Sequence, residues 1–255
     1  MLLTIDIGNS TVFIGANEGG VITRTWRLST DRERTGDEYG IMLKELFAAS
    51  GLNTSGIKGA AMSCVVPSLR DSFVSALERY VGVTPLVIEP GVKTGMPIIT
   101  DNPKEVGADR IVGAVAAYHK HKCELIVVDM GTAITFDHVT KKGEYAGGAI
   151  APGVQISATA LFKAAAKLPK VDISRPRFVV GKNTIDGLKS GIYFGFAALI
   201  DGMVERIKKE TAPSAKVVAT GGHAELFAKE SKTINEVDEL LILKGLEIIY
   251  EANAK

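Results

Sequence analysis

Apolar and polar residues follow a strand pattern and then a helical pattern in each half of the chain. In the first half, three apolar runs separated by Gly and Asn turns predict three strands, and apolar residues spaced three and four apart then predict helices. The second half begins again with an apolar run at 125–129 and a return strand at 133–139, before further helices. Strands that alternate with helices in both halves predict an α/β fold with helices packed on the sheets.

The same patterns give bounds for the individual elements. Ser68 and Asp71 have the spacing of a capping box just after Pro67, which predicts a helix start there. Glycines recur every four residues in the longest predicted helix and therefore share one face, where another backbone can approach closely. The predicted strands are 2–8, 11–17, 21–29, 57–66, 85–89, 125–129, 133–139 and 216–220, and the predicted helices are 37–50, 68–81, 107–120, 154–166, 184–209 and 237–252.

The opening of the chain is repeated 123 residues later. The first copy reads MLLTIDIGNSTVFI and the second reads ELIVVDMGTAITFD, so that Asp6 aligns with Asp129, Gly8 with Gly131 and Phe13 with Phe136. A repeat of this length is far too long for a solenoid. It predicts two similar lobes.

Composition changes the picture little but excludes several classes of function. Thirty basic residues against 29 acidic ones give a net charge of +1, which leaves no electrostatic footprint for nucleic acid or an anionic membrane. No uncharged run approaches the length of a membrane span, and the first residues lack the features of a signal peptide. The two cysteines, Cys64 and Cys123, lie in or beside apolar runs and are interpreted as buried free thiols, so we expect a cytoplasmic protein.

Each copy of the repeat places an Asp at the end of an apolar strand and a Gly two residues later. In a single copy this is common turn chemistry. Two copies in matching apolar context favour a ligand site, because a buried carboxylate is costly unless it is paired or binds a metal. The Gly lets the backbone approach a ligand, and the hydroxyls and amides after it can donate to phosphate oxygens. The common nucleotide signatures are absent from the chain, so a nucleotide would require paired hairpins.

Three segments, in order, resemble motifs of the actin, Hsp70 and sugar-kinase superfamily. DIGNST at 6–11 and DMGTA at 129–133 resemble its two phosphate motifs, and ATGG at 219–222 resembles its adenosine motif. More narrowly, the chain resembles type III pantothenate kinases over almost its whole length. The most specific segments of that resemblance are DNPKEVGADR at 101–110 and GTAITFD at 131–137.

The resemblance implies a fold, a reaction and a set of partners. The fold is α/β, with two similar lobes of the actin-like ATPase (ribonuclease H-like) type, mixed sheets flanked by helices, and lobe bounds at 1–115 and 116–255. Such enzymes transfer the γ-phosphoryl group of ATP to pantothenate, giving 4′-phosphopantothenate in the first step of coenzyme A biosynthesis. The implied partners are ATP, pantothenate and a second copy of the chain, and the implied compartment is the cytoplasm.

The resemblance also implies which residues bind ATP and cations. Asp6 matches the partner of Mg²⁺, directly or through water, and Asp129 matches the site of a monovalent cation, K⁺ or NH₄⁺. Thr132 matches a further phosphate contact. The ATP-phosphate loop corresponds to Asp6, Ile7, Gly8, Asn9, Ser10, Thr11, Val12 and Phe13.

The acceptor side of the site is implied by the GADR segment. Asp109 matches the family's proton acceptor, and Gly107, Ala108, Asp109 and Arg110 together match the segment that contacts pantothenate. From the residues alone, Asp109 could instead complement a helix start and pair with Arg110, and Arg110 could form a surface ion pair. Thr184 matches another substrate contact, although by its chemistry it could cap the long helix as well.

Two segments leave alternatives open. Thr100 stands where many relatives have Tyr just before the DNP sequence, so one edge of the substrate pocket is expected to differ. The segment 35–38, TGDE, either reaches the pocket of a partner subunit, as in relatives, or forms a helix N-cap with an acidic first turn.

Two other functions compete with the pantothenate kinase. The first keeps the fold and phosphorylates another small alcohol or a sugar. The second is a non-catalytic ATP-binding regulator, which is disfavoured because Asp6, Asp109 and Asp129 are all present.

Overall fold

The structure, a computed structural model, describes residues 1–254, and its contacts group them into two compact units. The first unit consists of Met1–Gly95, Asn102–Ala116 and the final segment from Leu241 onward. The second consists of Met96–Asp101 and Ala117–Leu240. The predicted α/β class is confirmed, because each unit contains a five-stranded mixed sheet and helices. The lobe boundary expected between residues 115 and 116 stays a prediction.

The first unit is built on a sheet in the strand order β3-β2-β1-β4-β5. β1 is antiparallel to β2 and parallel to β4. Its elements are β1 (Leu2–Ile7), β2 (Thr11–Glu18), β3 (Val21–Ser29), α1 (Gly36–Ala49), β4 (Gly59–Cys64), α2 (Pro67–Ala76), β5 (Pro85–Val87), the start of α3 (Ala108–His121) and α7 (Leu241–Asn253).

The two faces of this sheet are covered by different helices. Alternate residues of β1, such as Leu3 and Ile5, are fully buried in one apolar core with Tyr39 and Phe47 of α1. On the other face, Gly15 leaves room for Leu243 of α7. The polar side chains of β1 that alternate with the core residues therefore point to the α7 face.

The second unit has a sheet of matching design, in the order β10-β9-β6-β7-β8. β6 is antiparallel to β7 and parallel to β9, as β1 is to β2 and β4. The elements are the end of α3, β6 (Leu125–Met130), β7 (Ala133–Val139), β8 (Tyr145–Pro152), α4 (Val154–Ala164), α5 (Thr184–Glu210), β9 (Lys216–Thr220), α6 (Ala224–Ala228) and β10 (Glu236–Val237).

The internal repeat is confirmed as a repeat of topology, with one difference of register. Three residues connect β1 to β2, whereas two connect β6 to β7. Asp6 therefore lies opposite Phe13, but Asp129 lies opposite Thr135 rather than Phe136. The shorter turn shifts the pairing by one residue, so the alignment of the two phenylalanines does not hold in the sheets.

Several element predictions need correction. The predicted capping box at Ser68 is wrong: α2 begins at Pro67, and its N-cap Val66 makes no side-chain cap bond. A Pro at the first helical position needs no donor partner, so the helix starts there without a cap. The last helix begins at Leu241 rather than 237, because Glu236–Val237 pair with β9 as a strand. In residues 1–254 we find no helix with the length and apolar character needed to cross a membrane.

Candidate functional site

The β1–β2 turn is a short, exposed loop that neighbouring residues hold in place. The Gly8 N–H donates to the Thr11 carbonyl oxygen (3.0 Å), which closes the turn. Just beyond β3, the Thr30 hydroxyl donates to the Gly8 carbonyl (2.7 Å), and the Thr30 N–H donates to the Ser10 carbonyl (3.2 Å). Asn9, Ser10 and Thr11 are exposed, so their polar groups can meet a ligand. A turn of this kind suits phosphate oxygens, which accept from backbone N–H and hydroxyl groups.

Asp6 is the half-buried carboxylate at the end of β1. Ser63 lies beside it on β4, in register, and its hydroxyl donates to Asp6 Oδ1 at 2.7 Å. Burial first and the charge of Asp109 second raise the pKa of Asp6 from 3.8 to about 7, although the hydrogen bond from Ser63 lowers it. Burial and the charge of Asp109 thus disfavour the charged form of the Asp6 carboxyl group.

Asp109 belongs to the first turn of α3, where a helix N-terminus favours a negative charge. Its Oδ1 accepts a hydrogen bond from the backbone N–H of Arg110 at 2.8 Å. The four residues of the GADR segment, 107–110, are all half-buried, so the carboxylate is neither sealed in the core nor fully solvated. Asp109 and Asp6 belong to the same unit, and Asp109 is near enough to disfavour ionisation of Asp6.

The Asp6 carboxylate fits a magnesium ion of the kind that accompanies a nucleotide. Mg²⁺ is usually bound through one or two carboxylates, with water and phosphate oxygens completing its shell. A cation beside Asp6 would also offset the effects of burial and of the Asp109 charge, which raise the pKa of this group. Residues 1–254 contain no group of three or more His, Cys, Asp or Glu side chains able to hold a metal by themselves.

In the second unit, the DMGTA and ATGG segments are neighbours. Asp129 at the end of β6 pairs in register with Thr220 at the end of the parallel strand β9. Gly221 follows with a φ of +93°, and a Cβ on it would collide with Asp129 Oδ1 and with the Met130 backbone. Thr132, in the β6–β7 turn, accepts a hydrogen bond from the Gly153 N–H at 3.1 Å through its carbonyl. Two of the resembling motifs therefore form one cluster in this unit.

We expect Gly221→Ala to lower the melting temperature by about 5–10 °C. The strain of a left-handed non-glycine residue and the collision with Asp129 together cost roughly 2–3 kcal/mol, and each kcal/mol shifts the melting point of a protein of this size by about 2–4 °C. Gly222→Ala is the matched control, because a Cβ at that position would meet no atom of the described chain within 4 Å, and it should melt within about 2 °C of wild type. Calorimetry of the three proteins measures this, and equal melting of both variants would contradict it.

Thr184 is the first residue of α5 and is exposed. It does not cap the helix, because Asn183 is the N-cap and its Oδ1 accepts from the Asp186 N–H at 2.9 Å. That alternative for Thr184 is therefore wrong. The Thr184 side chain lines a groove of the second unit together with Ser157 and Gly187.

The structure bears in part on residues 35–38 and on Thr100, for which the sequence leaves alternatives open. Thr35 and Glu38 form a reciprocal capping box at the start of α1, which confirms the helix N-cap interpretation of TGDE. Its reach into a partner subunit stays a prediction. Thr100 has a buried hydroxyl without a hydrogen-bond partner among residues 1–254, and its methyl group lies near Gly147. An unpartnered buried hydroxyl is costly, which is typical of a position that a ligand completes.

Two residues that the sequence did not identify, Ser63 and Thr30, support the candidate site through hydrogen bonds from their hydroxyls. Both are hydroxyl residues at or just beyond the end of a strand that neighbours the first hairpin. The signal for Ser63 was present, because it is the polar residue that ends the otherwise small and apolar run GAAM. Recognising it required the strand register, which the sequence does not give.

Comparison with known proteins places these features in one family. A model described as "Type III pantothenate kinase" matches residues 2–206. The chain is 52% identical to the type III pantothenate kinase of Pelobacter propionicus, over 99% of this chain and 100% of that protein. It is 53% identical to that of Geotalea uraniireducens, over 99% of each. Among solved structures, a ROK family glucokinase from Streptomyces griseus is similar in fold, with a TM-score of 0.55 at 12% identity, covering 98% of each chain.

Proposed function

Because the chain belongs to the type III pantothenate kinase family, we propose that it transfers the γ-phosphoryl group of ATP to the primary hydroxyl of pantothenate. The product is 4′-phosphopantothenate, and the reaction is the first step of coenzyme A biosynthesis. The observation that carries the proposal is the match, at 52–53% identity over nearly the full length, to proteins named for this activity. The two carboxylates of the first unit agree with it, because phosphoryl transfer uses a cation at the phosphates and a carboxylate at the acceptor.

Asp109 is the proton acceptor in this proposal. The acceptor oxygen forms a bond to the γ-phosphorus while the bond from that phosphorus to the β,γ-bridging oxygen breaks, and ADP leaves. The proton of the acceptor hydroxyl passes to the Asp109 carboxylate. Gly107, Ala108 and Arg110 bind the acceptor beside it, and Arg110 can form paired hydrogen bonds with a carboxylate. Thr184 supplies a further acceptor contact.

Residues of both hairpins bind the nucleotide and its cations. Asp6 holds Mg²⁺, directly or through water, and the residues up to Phe13 present N–H and hydroxyl donors to the phosphates. Thr132 adds a phosphate contact, and Asp129 holds K⁺ or NH₄⁺. When bound, the cations neutralise negative charge on the phosphate oxygens.

The test is ADP release from the purified chain with pantothenate, followed by mass spectrometry of the product. We expect ADP release that depends on pantothenate and a product heavier by one phosphoryl group. Glucose and other small alcohols serve as comparison acceptors, since Thr100 alters one edge of the expected pocket. Release with one of these and none with pantothenate would support the alternative kinase. No release with any acceptor, despite ATP binding, would support the regulator.

The monovalent cation gives a separate prediction. We expect turnover in K⁺ or NH₄⁺ and a large loss when Na⁺ or Tris replaces them at equal ionic strength, because a carboxylate with nearby carbonyls suits a weakly hydrated ion. Asp129→Asn should remove this preference, and initial rates over a series of chloride salts measure it. Equal wild-type rates in all the salts would remove the specific site from the proposal.

A homodimer is the proposed assembly, and an exposed apolar surface of the second unit supports it. The loop before α5 exposes Phe178, Val179 and Val180, at 59%, 66% and 81%. On α5, the stripe of Gly187, Gly191 and Gly195 faces open space, because a Cβ there would meet no atom of the described chain within 4 Å. Large exposed apolar surfaces usually mark interaction sites. A second copy of the chain is the partner that the family resemblance implies.

We expect Gly191→Arg to convert the dimer to a folded monomer. The side chain enters open space, and replacing a mid-helix Gly favours the helix by about 0.5–1 kcal/mol, so the monomer should keep its fold. Ala48→Arg on α1, which is also exposed and helical, is the matched control and should stay dimeric. Sedimentation velocity measures both. A dimeric Gly191→Arg variant would place the interface elsewhere.

The proposed compartment is the cytoplasm. Cys64 and Cys123 are both free and half-buried, rather than fully buried as the sequence predicts. Free thiols are typical of proteins in a reducing compartment.

A further inference from the structure

The buried hydroxyl of Ser63 contacts the carboxylate of Asp6, which the proposed function assigns to Mg²⁺. Ser63 is fully buried, with no accessible surface, and lies in register with Asp6 on the adjacent parallel strand. Residues in register on neighbouring strands point to the same face, so the two side chains meet directly. The Ser63 Oγ to Asp6 Oδ1 distance of 2.7 Å is that of a good hydrogen bond to a carboxylate.

Within residues 1–254, the Ser63 hydroxyl and the Asp6 carboxyl group make this side-chain hydrogen bond only with each other. Ser63 makes no other side-chain hydrogen bond there, and the Asp6 carboxyl receives no other. The rest of β4 is Gly, Ala, Ala, Met and Cys, so Ser63 is the one hydroxyl of the strand. Burying a hydroxyl in such a strand costs free energy unless the hydroxyl is hydrogen-bonded. The partner here is Asp6 alone.

This hydrogen bond restrains one oxygen of the Asp6 carboxyl group. A carboxyl group with one restrained oxygen cannot rotate freely about its terminal bond. The negative charge of Asp109 repels the same carboxylate. With Oδ1 engaged by Ser63, Oδ2 is the oxygen left for a cation or its water. Carboxylates that bind metals are themselves commonly fixed by such hydrogen bonds, and the loss of one typically lowers metal affinity by about 10–100-fold.

We infer that Ser63 is a positioning residue: its hydroxyl holds the Asp6 carboxylate in the orientation that binds the divalent cation of the nucleotide complex. This inference rests on the proposed function, because it assumes that the chain binds ATP with such a cation. Ser63 itself does not touch the nucleotide or the reacting atoms. Its effect should therefore appear in binding that depends on the metal and not in binding of the nucleotide alone.

The experiment measures ATP binding by calorimetry with and without Mn²⁺, and the bound Mn²⁺ by electron paramagnetic resonance. We expect Ser63→Ala to weaken Mn²⁺-dependent ATP binding by about 10–100-fold and to leave ATP binding in EDTA within about twofold. Ser63→Thr, which keeps the hydroxyl, should restore metal-dependent binding. Ser63→Cys is close in size but a weak donor, and it should behave as the Ala variant does. Circular dichroism confirms the fold of each variant.

Thr4→Val provides the matched control. Thr4 is another fully buried hydroxyl of the same sheet, and it accepts a hydrogen bond from Asn17 Nδ2 at 3.3 Å rather than contacting Asp6. This variant should lose stability yet keep Mn²⁺-dependent binding. If Thr4→Val lost that binding as Ser63→Ala does, the effect would be general to the sheet and the inference would fail.

Three results would overturn the positioning role. They are a folded Ser63→Ala variant with Mn²⁺-dependent binding within twofold of wild type, an equal loss of binding in EDTA, and a folded Ser63→Thr variant as weak as Ser63→Ala. None of these measurements uses pantothenate. Failure of the pantothenate assay would therefore overturn the proposed acceptor and leave the Ser63 result to be judged by itself.

Discussion

Replacing Asp109 with Asn should lower kcat by about 10²–10⁴-fold while the protein keeps its fold and its affinity for ATP. This is the range that general-base catalysis typically contributes. The amide oxygen of Asn can still accept the N–H of Arg110, which Asp109 Oδ1 accepts at 2.8 Å, so the first turn of α3 should be unchanged. An amide cannot take up the acceptor's proton at neutral pH. The loss should therefore fall on turnover.

Glu105→Gln is the control for this variant. Glu105 precedes α3, is exposed, and accepts a hydrogen bond from Asn102 that a Gln side chain can also accept. Steady-state kinetics with pantothenate as the varied substrate should show near-normal turnover for Glu105→Gln. Turnover of Asp109→Asn within a few-fold of wild type would exclude Asp109 as the proton acceptor.

Asp6→Asn should make the metal-free protein more stable and abolish its use of Mg·ATP. In the folded protein, burial and the charge of Asp109 hold the pKa of Asp6 at about 7, against 3.8 as its ordinary value. Three pKa units correspond to about 4 kcal/mol, and partial exposure of the side chain reduces this to roughly 2–3 kcal/mol. The Asn side chain carries no charge, and its Oδ1 can still accept from Ser63.

The stabilisation should depend on pH in a defined direction. Between about pH 4 and 7 the folded protein retains a proton on Asp6 that the unfolded chain has released, so the contribution of this group to the free energy of unfolding falls as the pH rises. Above about pH 7 the group is ionised in both states and the full penalty is present. The difference between Asp6→Asn and wild type should thus be largest near pH 8 and vanish toward pH 4.

Urea denaturation in EDTA at several pH values between about 4.5 and 8 measures this effect. Asp101→Asn, at an exposed position, is the control and should follow wild type at every pH. Binding of Mg·ATP to Asp6→Asn should be undetectable under conditions that saturate wild type. A constant stability difference across the pH range would mean that the folded protein does not disfavour the Asp6 carboxylate.

The sequence predicted the strands that carry the candidate site residues, because each is a short apolar run that ends in a polar motif. The same reasoning missed β8, where Tyr145–Pro152 is rich in Gly and Ala and has a weak intrinsic preference for strands. Pairing with β7 makes it a strand, and a Cβ on Gly148 would collide with the Phe136 carbonyl. Such tertiary pairing leaves no periodicity in the sequence.

The sequence named candidate residues for the site, but it did not show which of them lie close together. The resemblance named Asp6 and Asp109, but no local pattern brings together two residues that are 103 positions apart. Their closeness comes from the packing of α3 on α7, where Gly245 leaves room for the Val112 backbone, and of α7 on the sheet at Gly15. The mid-strand Gly15 was a usable signal, since a Gly inside a strand often marks a close approach of another element.

The return of α7 to the sheet of β1 has a consequence for synthesis on the ribosome. The first unit lacks one of its helices until residues 241–253 have been translated, whereas the stretch 117–240 is continuous and is finished earlier. At about 5–20 residues per second, the nascent β1–β5 region waits roughly 10–30 s for that helix to cover it. The half of the protein that is translated first is therefore expected to mature last. Its uncovered face is where holdase chaperones should bind during that interval.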